Sequence, residues 1–210
     1  MPQTSTGPRD VAQPGEHPPP RPDLHLRAPL IHESAGPWLR VCRVEHDPLH
    51  FSTANVSRFN DPDGEFGVLC LAEDLGGAFI ETFGRQLDVR SVTSTALATR
   101  AAWHLESGLH LRFVDLASAG GLARLSADSR LTSGGFAVAQ SWVRALWQHP
   151  IQPDGIYYRL RHDPARCGYA VFDRARSHLH ATPLGTVWDP SRRRALGTIL
   201  DEFDFALIVE

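Results

Sequence analysis

The alternation of apolar and polar positions divides the chain into short segments. Residues 38–44 (WLRVCRV) repeat with period two, placing Trp38, Arg40, Cys42 and Val44 on one face and Leu39, Val41 and Arg43 on the other; this predicts a strand that carries an arginine. Residues 66–72 (FGVLCLA) are almost continuously apolar, as expected of a strand covered on both sides. Asp74 follows at an N-cap position, and Leu75, Ala78, Phe79, Thr82 and Phe83 keep helical spacing until Gly84 offers a stop. A helix therefore follows that strand at once.

The pattern continues with strand signals at residues 109–116, 155–160 and 168–172. Between them, residues 135–149 carry Phe136, Ala139, Val143, Leu146 and Trp147 along one helical stripe, ended by Pro150. Asp189 and Pro190 read as the N-cap and first position of a helix running to about residue 203, before a terminal apolar run over residues 205–209. There is no internal repeat at periods of 20 to 50 residues. The sum is one mixed α/β or α+β domain over residues 31–210. Nine of the 16 prolines fall in the first 37 residues, among Gln, Thr, Ser and Gly, so residues 1–30 read as a disordered or extended tail.

Composition narrows the class. A chain of 210 residues with 42% hydrophobic content can bury one substantial core. A formal charge of −3 provides no basic field of the kind that drives binding to nucleic acid or to a membrane surface. Three cysteines without CxxC spacing, no leader of signal-peptide form and no apolar run of transmembrane length fit a cytosolic protein with reduced thiols. The eleven histidines are scattered; only His178 and His180 are close, on one face of an expected strand and without a third ligand nearby, so no metal is expected. GxGxxG after a strand, GxSxG and a P-loop lysine are all absent, for the sequence contains no lysine.

Two charges stand out in residues 57–84 (SRFNDPDGEFGVLCLAEDLGGAFIETFG). Arg58 sits beside a strong turn signal, where it reads either as a solvated loop residue or as an anion clamp whose guanidinium presents paired donors. Glu81 lies about 160° around its helix from Phe79 and Phe83, so periodicity points it to solvent. Tyr157 and Tyr158 point to opposite faces of their strand, so at most one reaches a given pocket.

The order of WLRVCRVEHDPLHFS, then SRFNDPDGEFGVLCLAEDLGGAFIETFG, then RFVDLASAGGLARL through YYRLRHDPARCGYAVF, over about residues 36–180, resembles the RES domain family, named for an arginine, a glutamate and a serine. The resemblance implies a compact fold related to ADP-ribosyltransferases and activity on NAD, either phosphorolysis or transfer of ADP-ribose, in toxins paired with Xre-type antitoxins. It implies NAD as substrate with phosphate or water as acceptor, and no metal. By position, Arg40 and Arg58 match NAD-binding arginines and Glu81 matches the family glutamate, which places Glu81 in a cleft and not in solvent. With nicotinamide leaving, the ribose builds oxocarbenium character that a carboxylate stabilises; Glu81 and Arg58 are the expected catalytic pair. Cys70 and Leu160 stand among the ligand-binding positions where the family has a tyrosine and its serine. Those two departures imply weakened turnover, and leave open an impaired NAD or ADP-ribose binding module as well as transfer to a protein. Direct nucleic-acid and membrane partners are not expected, and a homo-oligomer stays open.

Overall fold

The apolar run around Leu69 becomes an interior strand of a large sheet, because residues on both of its faces find cover. In the computed structural model, which describes residues 17–86 and 88–210, the strands are β1 (Ile31–Ser34), β2 (Trp38–Arg43), β3 (Val68–Ala72), β4 (Ser91–Thr93), β5 (Arg100–Ser107), β6 (Leu111–Asp115), β7 (Gly155–Arg159), β8 (Cys167–Phe172), β9 (Leu179–Thr186) and β10 (Ala206–Ile208). The helices are α1 (Leu75–Phe83), α2 (Ser94–Ala98), α3 (Gly121–Arg124), α4 (Arg130–Ser133), α5 (Phe136–Trp147) and α6 (Arg193–Glu202). Eight strands form one sheet in the order β1-β6-β7-β8-β3-β2-β5-β9, and β10 pairs with β4 apart from it. Only the β6 to β7 pair in the large sheet is parallel, as befits two strands joined by a helical crossover through α3, α4 and α5.

One joint in this sheet matters for everything that follows. β2 and β3 are paired at a single position, Leu39 with Ala72. Trp38 of β2 nevertheless meets Phe113 of β6, with ring centroids 6.0 Å apart, and Tyr169 of β8 at 5.6 Å. In a flat sheet β6 would lie four strand spacings away, about 19 Å. The sheet therefore folds over on itself at the weak joint, and one core, with Leu69, Leu105, Phe113 and Val171, lies inside the fold.

The outer surfaces take the helices. Ala139, Trp142, Val143 and Leu146 of α5 pack against Val68, Ile156, Ala170 and Phe172, and a third cluster joins Phe79 and Ile80 of α1 to Leu196 and Ile199 of α6. Phe136 departs from the expected stripe: as the first residue of α5 it is 44% exposed. Asp74 caps α1 by accepting from the Gly77 backbone N–H at 2.6 Å, and the Gly84 N–H closes the helix onto Ile80. The helix expected from Pro190 begins instead with a 3-10 turn, Pro190–Arg192, and becomes α6 at Arg193.

Three strands of the large sheet were not legible in the pattern: β1, β5 and β9. β9 contains Pro183 and Gly185, which argue against a central strand, and it lies at the sheet edge where such residues are tolerated. His178 ends a 3-10 turn, so it does not share a strand with His180 as expected. The packed chain also reaches further back than residue 31. Residues 1–16 of the proline-rich stretch lie outside the described residues, but His17 is buried against Trp142, the Trp142 indole donates to the Pro18 carbonyl at 2.9 Å, and Leu24 enters the core. Prolines lack a donor but keep a carbonyl, which suits them to receive a buried indole N–H. Among the described residues no helix is long and apolar enough to cross a membrane, and no group of three or more His, Cys, Asp or Glu is placed to hold a metal ion.

The cap on α1 also holds one end of a charge cluster, since Arg166 reaches Asp74, Asp163 and Glu202 together. Asp74→Ala is expected to destabilise the protein by about 1–2 kcal/mol, read as a lower urea midpoint with an unchanged slope. An unchanged midpoint would contradict the role given to the cap.

Candidate active site

A cavity of about 510 Å3 opens beside the β2–β3 joint, within the range of roughly 300 to 1,000 Å3 common for small-molecule sites. Its lining includes all five positions singled out in the sequence: Arg40, Arg58, Cys70, Glu81 and Leu160. Strand β2 supplies Arg40, strand β3 Cys70, helix α1 Glu81, the loop before β3 Arg58, and the end of β7 Leu160.

Helix α1 explains how Glu81 can satisfy two opposed expectations. Ala78, Glu81, Thr82 and Arg85 recur at helical spacing and all line the cavity, while Phe79, Ile80 and Phe83 face the core on the other side. The angle inferred from periodicity holds, but that side of the helix looks into a cleft. The Glu81 side chain keeps one carboxylate oxygen, Oε1, buried and without a hydrogen-bond partner among the described residues. Such an atom is costly to bury unless something else occupies its surroundings. Gly77 lets the helix come this close: a Cβ there would lie 3.0 Å from Leu160 Cδ1 and 3.2 Å from the Ala72 side chain.

The turn signal around Arg58 resolves into a loop braced by α5. The Ser57 N–H donates to Asn60 Oδ1 at 3.0 Å, Asn60 Nδ2 donates to the Ser52 carbonyl at 3.0 Å, and Gln140 Nε2 of α5 donates to the Ser57 carbonyl at 2.9 Å. Arg144, one turn further along α5, pairs with the fully buried Asp61 at 2.9 Å. Arg58 itself is buried at 8% exposure, donates to the Gly134 carbonyl, and lies over the Phe136 ring with 5.1 Å to its centroid. Burial, then repulsion from Arg161, holds its pKa below the ordinary arginine value, while Tyr158 and Glu81 pull the other way.

Arg40 is tethered by neutral groups too. Its guanidinium donates to the carbonyls of Pro48 at 2.9 Å and His50 at 3.4 Å, and burial lowers its pKa. Neither Arg40 nor Arg58 has a carboxylate within ion-pair distance among the described residues. With Arg85 and Arg161 the lining holds four arginines, two histidines (His50 and His162) and a single acid, Glu81, in a chain whose overall charge is negative. Guanidinium groups that are partly or wholly buried, keep their charge and lack a counterion suit an anion with several oxygens.

Arg85, Arg161, Phe136 and Tyr158 were not picked out from the sequence. Arg161 was hidden inside a turn signal and Arg85 follows the helix stop; neither carries a periodic signature. Of the two adjacent tyrosines it is Tyr158 that reaches the cavity, while Tyr157 on the opposite face donates to Glu73 at 2.8 Å. Burial raises the Tyr158 pKa well above its usual value, so the phenol stays neutral. Leu160 is 1% exposed and packs in the α5 core, filling the space beside Gly77 and Gly168.

Residues 37–192 match the RES domain family over most of the chain. The chain belongs to the RES domain family. A curated relative, "Probable toxin y4kH" of Sinorhizobium fredii, is 32% identical over 98 residues, which cover 47% of this RES protein and 75% of the relative. Among solved structures, one chain of the M. tuberculosis MbcT–MbcA toxin–antitoxin complex superposes with a TM-score of 0.61 at 14% identity, covering 83% of this RES protein and 94% of that chain. At that identity the likeness speaks for the fold alone.

Cys70 offers a test of the cavity's electrostatics, because it is the exposed one of the three free cysteines. It opens onto a recess where loss of hydration raises its pKa above the ordinary 9.0, with Arg40 acting in the opposite direction. Less of it is thiolate at pH 8 than of a free thiol, so alkylation by iodoacetamide should be slower than that of free cysteine and keep rising above pH 9. Arg40→Met, which removes the lowering charge, should slow it further. Alkylation at pH 8 as fast as that of free cysteine would contradict this placement.

Proposed function

We propose that this RES domain binds NAD in the cavity and cleaves the bond between nicotinamide and ribose, passing the ADP-ribosyl group to phosphate or water. The observation that carries the reading is the Glu81 carboxylate, buried at one oxygen and unpartnered, in the same cavity as the buried Arg58 and the half-buried Arg40, neither of which has a carboxylate counterion. Arg40 and Arg58 would hold the pyrophosphate, whose oxygens match paired guanidinium donors.

Glu81 would lie against the ribose. As the C1′–N bond breaks, its electron pair goes to the pyridine nitrogen and neutralises the departing nicotinamide, while positive charge builds at C1′. A fixed carboxylate stabilises that charge without reorganisation. A phosphate oxygen then bonds to C1′ to give the ADP-ribosyl phosphate, or water bonds there and releases a proton. No metal is needed in this scheme. The relative whose name reads "Probable toxin", and the fold shared with one chain of a toxin–antitoxin complex, support a toxin role with an Xre-type antitoxin as partner.

A second reading, a module that binds NAD or ADP-ribose without turning it over, draws on Leu160 and Cys70. Leu160 supplies no hydroxyl and is locked in the core, and Cys70 is a poor donor. The hydroxyls left in the lining belong to Tyr158, Ser52, Ser57, Thr82 and Thr132.

Incubation of the pure protein with NAD and phosphate should release nicotinamide, and Glu81→Gln should lower the rate by roughly 10²- to 10³-fold while ADP-ribose binding persists. Absence of NAD loss at high protein concentration would end the enzymatic reading, and calorimetric binding of ADP-ribose in that case would select the module. Label from radioactive NAD retained on protein would instead identify transfer to a protein acceptor. Leu160→Ser is expected to lower stability by about 2–4 kcal/mol, because it empties packed space, and to raise turnover about tenfold by returning a hydroxyl. No gain in a folded variant would dissociate the missing serine from any weakness of the enzyme.

A further inference from the structure

The cavity has an apolar lip over its cationic floor. Val56, 72% exposed, and Phe136, 44% exposed, both line it, whereas the other carbocyclic aromatic rings of the lining are closed off, Phe59 at 4% and Tyr158 at 7%. With Cys70 on β3, no aromatic side chain projects from that strand into the site. Phe136 and Val56 together thus leave an exposed apolar edge on a cationic cavity, a surface that a flat, neutral ring can cover. The Phe136 ring is also held in place: the Arg58 guanidinium covers one face at 5.1 Å and the same guanidinium donates to the Gly134 carbonyl two residues before it.

We infer that Phe136 is the stacking platform for the adenine of the bound dinucleotide, and that the nicotinamide end lies at Glu81. This rests on the reading of the cavity as an NAD site and goes beyond it by assigning the two ends. The assignment follows from charge. A ring with a guanidinium on one face is a poor partner for a second cation, since the two repel across it, and the nicotinamide ring of NAD is cationic. Adenine is neutral and stacks on a phenyl face without that penalty. The single carboxylate of the lining, Glu81, is the group that favours the cationic ring. Arg58, between the two ends, serves both: one side orders Phe136 and its remaining donors face the phosphates.

Calorimetry with AMP, nicotinamide mononucleotide and inorganic pyrophosphate separates the outcomes. Phe136→Leu keeps apolar bulk beneath Arg58 but removes the π face, and it should weaken AMP about tenfold or more while nicotinamide mononucleotide and pyrophosphate bind as to the wild type. Phe136→Tyr should restore AMP binding. An equal loss for all three ligands would mean that the substitution merely displaces Arg58 and would overturn the stacking role. Loss of nicotinamide mononucleotide with AMP unchanged would reverse the two ends and overturn the assignment. Phe136-dependent AMP binding in a protein that fails to consume NAD would leave the platform standing while the cleavage reading falls. Wild-type protein that binds neither AMP nor NAD would remove both.

Discussion

Burial of guanidinium charge without a carboxylate partner is the constraint around which this structure is arranged. Arg58 is buried and Arg40 half-buried, and both donate to backbone carbonyls, which accept hydrogen bonds but do not neutralise charge. A protein could relieve this cheaply with an acid on a neighbouring loop, and this chain does so elsewhere: Arg144 meets Asp61, Asp63 and Glu65, and Arg166 meets three carboxylates. In the cavity the lone acid, Glu81, leaves an oxygen unpartnered instead. Positive and negative groups are thus held apart in one hollow, the arrangement expected where a ligand supplies the missing partners.

Holding charges apart requires stiff supports, and each comes from a different part of the fold. The fold-over at the Leu39–Ala72 joint opens the space, with aromatic contacts between Trp38, Phe113 and Tyr169 fixing the two halves of the sheet. Helix α5 braces the Arg58 loop through Gln140 and Arg144. The N-cap at Asp74 and the close approach at Gly77 set α1 so that the Glu81 face looks inward. The site is consequently a product of long-range packing, and the surfaces that form it are also the outer walls of the three cores.

Much of the architecture was legible in the chain. The strand, cap, helix and stop around residues 68–84 followed from apolar continuity, a capping aspartate and helical spacing, all of them local effects. The strands around Leu111, Ile156 and Tyr169 and the body of α5 were equally local. β5 and β9 escaped because their pairing, including a register shift between Ala101 and Trp103, is decided by neighbours far away in sequence. The same is true of residues 17–30 of the proline-rich segment, whose composition suggested a tail and which the Trp142 indole meets at the Pro18 carbonyl.

For the site, resemblance picked out Arg40, Arg58, Glu81, Cys70 and Leu160, while periodicity alone would have left Glu81 in water and Arg58 on a loop. Sequence fixes which groups are chemically able to bind an anion or steady a cation, since side-chain identity and helical angle are local properties. Whether the far side of a helix faces solvent or a cleft depends on what the rest of the chain brings opposite it. Here β2, the Arg58 loop and the end of β7, separated by up to about 120 residues, supply that opposite wall. Only their packing turned a helix angle and four scattered arginines into one cavity.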